Sequence, residues 1–366
     1  MAGRARALEG LGLMACLVDR HFWSGRRVLL TGHTGFKGAW ASVWLQIMGA
    51  QVCGLALAPE TNPNLYEISG LGGWVPDGLG DIRDAAFVRE AVAQARPQIV
   101  IHMAAQPLVR RSVRLPVETF DTNVMGTVHL LEALRGVEGL EAILVVTTDK
   151  IYENPETGQS FRESDPLGGH DPYSASKAAA EMVTSSYRRT YFEAMGVPLA
   201  TARGGNVIGG GDFSEDRIVP DVFRAMRAGV KLELRNPEAT RPWQHVLDCL
   251  EGYLGFAQAL AQGHALPHAL NFGPLDAART PVRLLVEAMQ QALGSPAGWS
   301  MAQGPQPREM QALSLDCSAA REYLGFMDRL VGIDAIKATA DWYLAYVRGD
   351  DMRAHMVEVI EERLNA

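Results

Sequence analysis

The chain has 366 residues, 47% of them hydrophobic and 21% charged, with a net charge of −8. That mix belongs to globular proteins able to bury a large core, in one big domain or two ordinary ones, and not to disordered or fibrous chains. The acidic balance disfavours nucleic acid or an anionic membrane as the main partner, and no apolar run approaches the ~18 residues of a membrane span. Cys16, Cys53, Cys249 and Cys317 are scattered without paired spacing. They give neither a metal cluster nor a disulfide framework, and they fit a reducing cytoplasm. Leu11 to Cys16 loosely resembles a lipoprotein processing signal, but the apolar stretch is short and broken upstream by Glu9. Residues 1–20 therefore read as a frayed or helical extension.

In chain order, Arg27–Thr31 is the first buried strand, and Gly32, Gly35 and Gly38 follow it at once. A helix is expected over 36–48, its apolar face carrying Trp40, Val43, Trp44 and Ile47, with Gly49 ending it through a positive φ. A second strand spans 51–57. Helix 84–95 precedes strand 98–102, helix 127–134 precedes strand 142–147, and a long helical pattern over 174–192 precedes strand 199–203. Strands alternating with helices imply an α/β fold of Rossmann type, a doubly wound parallel sheet covered on both faces. After Gly204 the pattern loosens into a smaller mixed C-terminal lobe. The expected division is an extension at 1–20, a dinucleotide-binding domain at 21–203, a substrate lobe at 204–345 partly interleaved with it, and a helical tail at 346–366.

Three stretches carry chemistry. The glycines in Gly32-His33-Thr34-Gly35-Phe36-Lys37-Gly38 allow a tight turn, a close backbone approach to a pyrophosphate, and close packing of helix on sheet. The helix N-terminus adds partial positive charge for that anion. Val145-Val146-Thr147-Thr148-Asp149-Lys150 ends a buried strand in a hydroxyl, a carboxylate and an amine, either a polar turn or, at the carboxyl end of a parallel sheet, a place for chemistry. Tyr173 and Lys177 lie four apart on one helix face and can address one site. A neighbouring ammonium favours the phenolate and lowers the phenol's pKa from its usual ~10.

The glycine spacing resembles the extended branch of the short-chain dehydrogenase/reductase superfamily, which acts on nucleotide sugars. The resemblance runs over nearly the whole chain after residue 21, through Gly80-Asp81-Ile82-Arg83, His102-Met103-Ala104-Ala105-Gln106, Asn123-Val124-Met125-Gly126-Thr127, Tyr173-Ser174-Ala175-Ser176-Lys177 and Arg241-Pro242-Trp243-Gln244-His245-Val246. It implies a nicotinamide dinucleotide held by Gly32, His33, Thr34, Gly35, Phe36, Lys37 and Gly38, by Asp81, Ile82 and Arg83, by Ala104, Ala105 and Gln106, and by Asn123, Tyr173 and Lys177. The second strand lacks the usual ribose-binding acid and offers only Glu60, while His33 and Lys37 bring positive charge towards the ribose. NAD is the expected cofactor, with NADP open.

The resemblance also assigns roles. Thr148 would hydrogen-bond the reacting oxygen, Tyr173 would take its proton, and Lys177 would hold the ribose and tune Tyr173. Nucleotide-sugar 4,6-dehydratases carry an acid after the Ser/Thr, here Asp149, and usually a Glu next. Lys150 in that place resembles the CDP-glucose 4,6-dehydratases, implying CDP-glucose as substrate and CDP-4-keto-6-deoxyglucose as product. Lys150 is then either the base for the C5 proton, which needs burial or nearby cations to favour its free amine, or an ammonium stabilising the enolate. Asn206, Arg217, Arg241, Asn271 and Arg308 match substrate contacts of the branch, arginine being suited to a diphosphate. Alternatives are a GDP-mannose 4,6-dehydratase, a 4-epimerase, or a non-catalytic sugar-nucleotide binder. The branch implies a homodimer or higher homo-oligomer through helices near 116–134 and 174–192.

Overall fold

The computed structural model describes residues 17–274, 279–295, 297–303 and 313–365. Residues 1–16 and Arg308 lie outside the described residues, and the expectations placed on them lie there too.

The seven-stranded sheet comprises β1 (Arg27–Thr31), β2 (Gln51–Ala56), β3 (Asp77–Leu79), β4 (Ile99–His102), β5 (Ala142–Thr148), β6 (Leu199–Gly204) and β7 (Ala269–Phe272). They run in the order β7-β6-β5-β4-β1-β2-β3, with every pairing parallel. The order reverses between β1 and β4, which opens a crevice beyond their carboxyl ends. Side chains on a strand alternate in direction, so a sheet covered on both faces needs apolar residues at every position. Val28 and Leu30 face one layer with Ile99, Ile101, Leu144 and Val146, while Leu29 faces the other with Val100, Ile143 and Val145. The first layer is completed by helices α1 (Phe36–Ile47) and α6 (Val246–Ala261). The second is completed by α2 (Ala85–Ala95) and α3 (Gly126–Leu134), with α4 (Pro172–Tyr187) alongside.

The expected elements are present with ends shifted by a residue or two. Asp84 caps α2 by accepting from Ala86 and Phe87, and Gly49 sits at φ 81° after α1. Strand β3 was not expected; its three residues are too short to show a period. The pattern over 174–192 is not one regular helix. α4 ends at Tyr187, and Arg188–Phe192 forms a wider π turn. A second π turn, Asp121–Met125, precedes α3. The alternation of polarity that marks a 3.6-residue period does not reveal such an extra residue.

The smaller lobe combines α5 (Ile218–Ala228), α7 (Val282–Ala292) and α8 (Ile333–Arg348) with a three-stranded sheet of Asn206–Ile208, Thr240–His245 and Arg279–Pro281. β7 follows that lobe's first strands in sequence, yet pairs with β6 in the main sheet. The last helix, α9 (Met352–Asn365), returns to α1, where Arg363 is buried between Asp248 and Glu251 of α6. Two buried carboxylates against one guanidinium tie the tail to the main layer. At the other end of the chain, Asp19 donates its backbone N–H to Gln258 at 2.9 Å, and Phe22 and Trp23 enter the same core.

Candidate active site

β5 carries its apolar run to Val146 and ends at Thr148, which caps the following turn by accepting from the Lys150 N–H at 3.5 Å. Asp149 is 0% exposed, and its Oδ1 accepts from the Thr148 hydroxyl at 3.0 Å and from the Lys150 ammonium at 3.0 Å. Lys150 also donates to Asn206 Oδ1 at 3.4 Å. The second carboxylate oxygen of Asp149 has no hydrogen-bond partner and lies 3.4 Å from where a Cβ on Gly205 would stand. Buried polar atoms normally have a partner, so a buried, ion-paired carboxylate with one oxygen left over is an exception.

Tyr173 and Lys177 enter from α4. The Tyr173 phenol stands near the Thr148 side chain, and Lys177 donates to the Val146 carbonyl at 3.0 Å. Burial pushes the Tyr173 phenol up to about 12, with the nearby Thr148 side chain opposing and Asp149 reinforcing the rise. The expectation of a lowered phenol therefore does not hold for the protein by itself. Burial lowers the Lys177 amine to about 7, helped by Lys37 and opposed by Glu181.

The glycine turn is built for close approach. Gly32 has φ 78°, and a Cβ there would stand 2.8 Å from the Ala104 nitrogen. A Cβ on Gly38 would stand 2.0 Å from the Gly32 carbonyl oxygen. The turn thus leaves bare backbone at the N-terminus of α1, beside the loop 103–106. Thr31 holds that loop by accepting from Met103 and Ala104 at 3.1 Å. These features fit the diphosphate of a dinucleotide. Asp81 and Arg83 close on each other in a two-pronged ion pair, while Ile82 is buried beneath Gly126.

Four expected contacts change their meaning. His33 is buried, packed edge-on against Tyr66 with Gly54 beneath its ring, and is not presented at the end of β2. Lys37 turns away from that end as well: its ammonium lies 5.5 Å from the Tyr253 ring centroid and lines the cleft with Thr148, Lys150 and Lys177. Asn123 accepts from the Gln106 N–H at 2.8 Å and donates to Ser176 at 2.8 Å, bracing loop 103–106 against α4 instead of reaching for a ligand. Asn271 is buried and fully engaged with Tyr152, the Phe161 carbonyl and the Asp316 carbonyl, so it is a packing residue rather than a substrate contact. Asn206, Arg217 and Arg241 do line the cleft. Arg217 also pairs with Asp212 at 3.3 Å.

The cleft over these strand ends holds about 1630 Å³, more than the ~300–1,000 Å³ of an ordinary small-molecule pocket. It runs from Lys37 and Thr148 in the sheet domain to Leu232 and Gln303 in the small lobe. A family model described as GDP-mannose 4,6 dehydratase matches residues 29–335. The chain belongs to that family.

Within the 4,6-dehydratases, the chain is 45% identical over 342 residues to CDP-glucose 4,6-dehydratase of Salmonella typhimurium, covering 92% of this chain and 95% of that one. Among solved structures, it resembles UDP-glucose 4-epimerase of Thermus thermophilus in complex with NAD at a TM-score of 0.74 and 28% identity, covering 87% of this chain and 99% of that one. The dTDP-glucose 4,6-dehydratase of Bacillus anthracis, at a TM-score of 0.72 and 20% identity over 90% of this chain and 99% of that one, shares the fold.

Two further groups behind this dehydratase-family site escaped the sequence reading. Glu181 sits one helical turn beyond Lys177, receives Thr147 and Thr201, and forms a buried two-pronged pair with Arg203. Its spacing from Lys177 on the same helix face was a usable signal. Ser112, which accepts from the Tyr173 backbone N–H at 3.1 Å, gave none, being one serine in a short helix.

Proposed function

We propose that the protein converts CDP-glucose to CDP-4-keto-6-deoxyglucose and water, with NAD as its resident cofactor. The pair of buried Asp149 and half-buried Lys150, beside Thr148, Tyr173 and Lys177, carries the reading. Oxidising a hydroxyl needs the last three; only an elimination needs the first two. The choice of cytidine diphosphate rests on the likeness to the Salmonella enzyme.

NAD would lie on the glycine turn, Asp81 to Arg83 and loop 104–106, and when bound it supplies the oxidant for C4 and the reductant for C6, with no net redox change. Thr148 and Tyr173 hold the C4 oxygen, and Tyr173 takes its proton. The resulting ketone acidifies C5. Lys150, as a free amine, takes the C5 proton, while Asp149, in its acid form, protonates the departing C6 oxygen. Their 3.0 Å contact allows both forms to arise in one step, by transfer of a proton from ammonium to carboxylate. After elimination the pair again holds an ammonium and a carboxylate; as hydride returns to C6, Lys150 gives its proton back to C5, and the proton that Tyr173 took from the C4 hydroxyl passes through solvent to restore the pair. Asn206, bonded to Lys150, and Arg217 and Arg241 face the nucleotide sugar along the cleft.

NAD is favoured over NADP because, among the described residues, the end of β2 offers a 2′-phosphate no ready cation. His33 and Lys37 point elsewhere, and Arg111 is engaged with Glu60 at 2.6 Å and Glu118 at 2.8 Å. A homodimer in the cytoplasm completes the proposal. Val113, Val117, Phe120 and Met182 leave exposed apolar surface on neighbouring helices. Among the described residues no helix is long and apolar enough to cross a membrane.

CDP-glucose deuterated at C4, incubated with substoichiometric NAD and followed by NMR, tests the reaction. Deuterium appearing at C6 with loss of the C6 hydroxyl is expected. A C4-inverted product would make the protein an epimerase, and an unchanged sugar that binds would leave only a binding role.

A further inference from the structure

Helices leave their first backbone N–H groups without internal partners, and a buried helix start must find partners elsewhere. From Pro172 onward the N–H groups at the start of α4 can be traced. Pro172 has no N–H, Ser174 donates to the Asp171 side chain at 3.0 Å, and Ala175 donates to the Asp171 carbonyl at 2.9 Å. The remaining donor is the backbone of Tyr173, which gives its hydrogen to Ser112 Oγ at 3.1 Å. Ser112 is 0% exposed, and its own hydroxyl is oriented by donating to the Val109 carbonyl at 2.6 Å. This link crosses from the helix Val109–Arg114, which follows the loop 103–108, to the helix that carries the phenol. The same short helix is anchored on two further sides. Arg111 reaches Glu60 beyond β2, and Arg110 reaches Asp216 of the small lobe at 2.8 Å.

We propose that Ser112 is a positioning residue for the reaction: by holding the Tyr173 backbone it sets the phenol against Thr148. The proposal rests on the catalytic reading of Tyr173. The charged groups that act on the phenol are Asp149 at the strand end, Asp171 at the helix cap and Arg217 of the small lobe. Ser112→Ala leaves all of them in place. A change in how Tyr173 titrates in that variant therefore reports a moved phenol and not an altered field.

The test compares Ser112→Ala with the parent protein in kcat, KM for CDP-glucose and the pH profile of kcat. Thermal unfolding gives the folded fraction. The expected result is a roughly tenfold fall in kcat with KM within about twofold, and an acid limb moved to higher pH as the phenol loses Thr148. An unchanged kcat overturns the proposal. So does a fall that merely follows the folded fraction with the limb in place, since that is what a packing role predicts. If Ser112→Ala does not fold, Ser112→Cys, which keeps a weaker acceptor of similar size, is read in the same way. Tyr173→Phe separates the two failures. Full activity there overturns the catalytic assignment itself, whereas loss there with an unaffected Ser112→Ala overturns only the role of Ser112.

Discussion

At Lys177 burial works against the charge an ordinary lysine carries. Its folded value of about 7 lies below the usual 10.5, so between those pH values the unfolded chain holds a proton that the folded chain lacks. Native stability from this group therefore rises with pH across that window, and the penalty is largest below about 7. Lys177→Met should raise the melting temperature of the cofactor-free protein by several degrees at neutral pH, with the gain shrinking towards pH 10, while activity is lost. A melting temperature that stays level or falls at neutral pH would contradict a buried, deprotonating amine. Asp149 is tested by separating two steps. Asp149→Asn removes the proton meant for the C6 oxygen but keeps the Thr148, Tyr173 and Lys177 side chains, with an amide oxygen still able to accept from Thr148. Dehydration should fall by about 10²–10⁴ while C4 oxidation, read as single-turnover formation of reduced cofactor, survives far better. Equal loss of both steps would remove Asp149 from its assigned role.

The glycine turn shows how an element, not a single side chain, makes a binding surface. Gly32 occupies a positive φ, and Gly38 leaves no room for a Cβ beside the Gly32 carbonyl. Gly38→Ala must push backbone against backbone, at a cost of about 1–3 kcal/mol, and it spoils the surface meant for a diphosphate. The variant should fold with a lowered melting temperature and lose the thermal shift that NAD gives the parent; a preserved shift would place the dinucleotide elsewhere. Helix α4 was legible because Tyr173 and Lys177 share its 3.6-residue period. The π turn Asp121–Met125 was not, since an extra residue in a turn leaves no mark on the polarity pattern. Yet that turn presents Asn123 to Gln106 and Ser176, and so joins the loop along the cleft to the helix bearing the phenol.

For the molecule as a whole, the parallel sheet and the small lobe meet along one cleft, and an exposed apolar surface remains on the helices beside it. Val117 is 81% exposed and Met182 60% exposed, large values for apolar side chains on adjoining helices. Val117→Arg should shift the proposed homodimer towards monomers in light scattering at micromolar concentration, because a charge there has to be desolvated on pairing. An unaltered mass would mean that this face is not the contact. Amino-acid order alone determined the alternating strands and helices, the glycine turn, the Thr148-Asp149-Lys150 strand end and the Tyr173–Lys177 spacing. Each of these is written in local periodicity or in the special backbone freedom of glycine. Only the tertiary structure decided where long side chains point and what they meet. It turned Lys37 from the ribose end of β2 to the catalytic cleft, closed Asn271 into the interior, and brought Ser112 to the backbone of Tyr173. Those outcomes depend on contacts between residues far apart in the chain, and no local period encodes them.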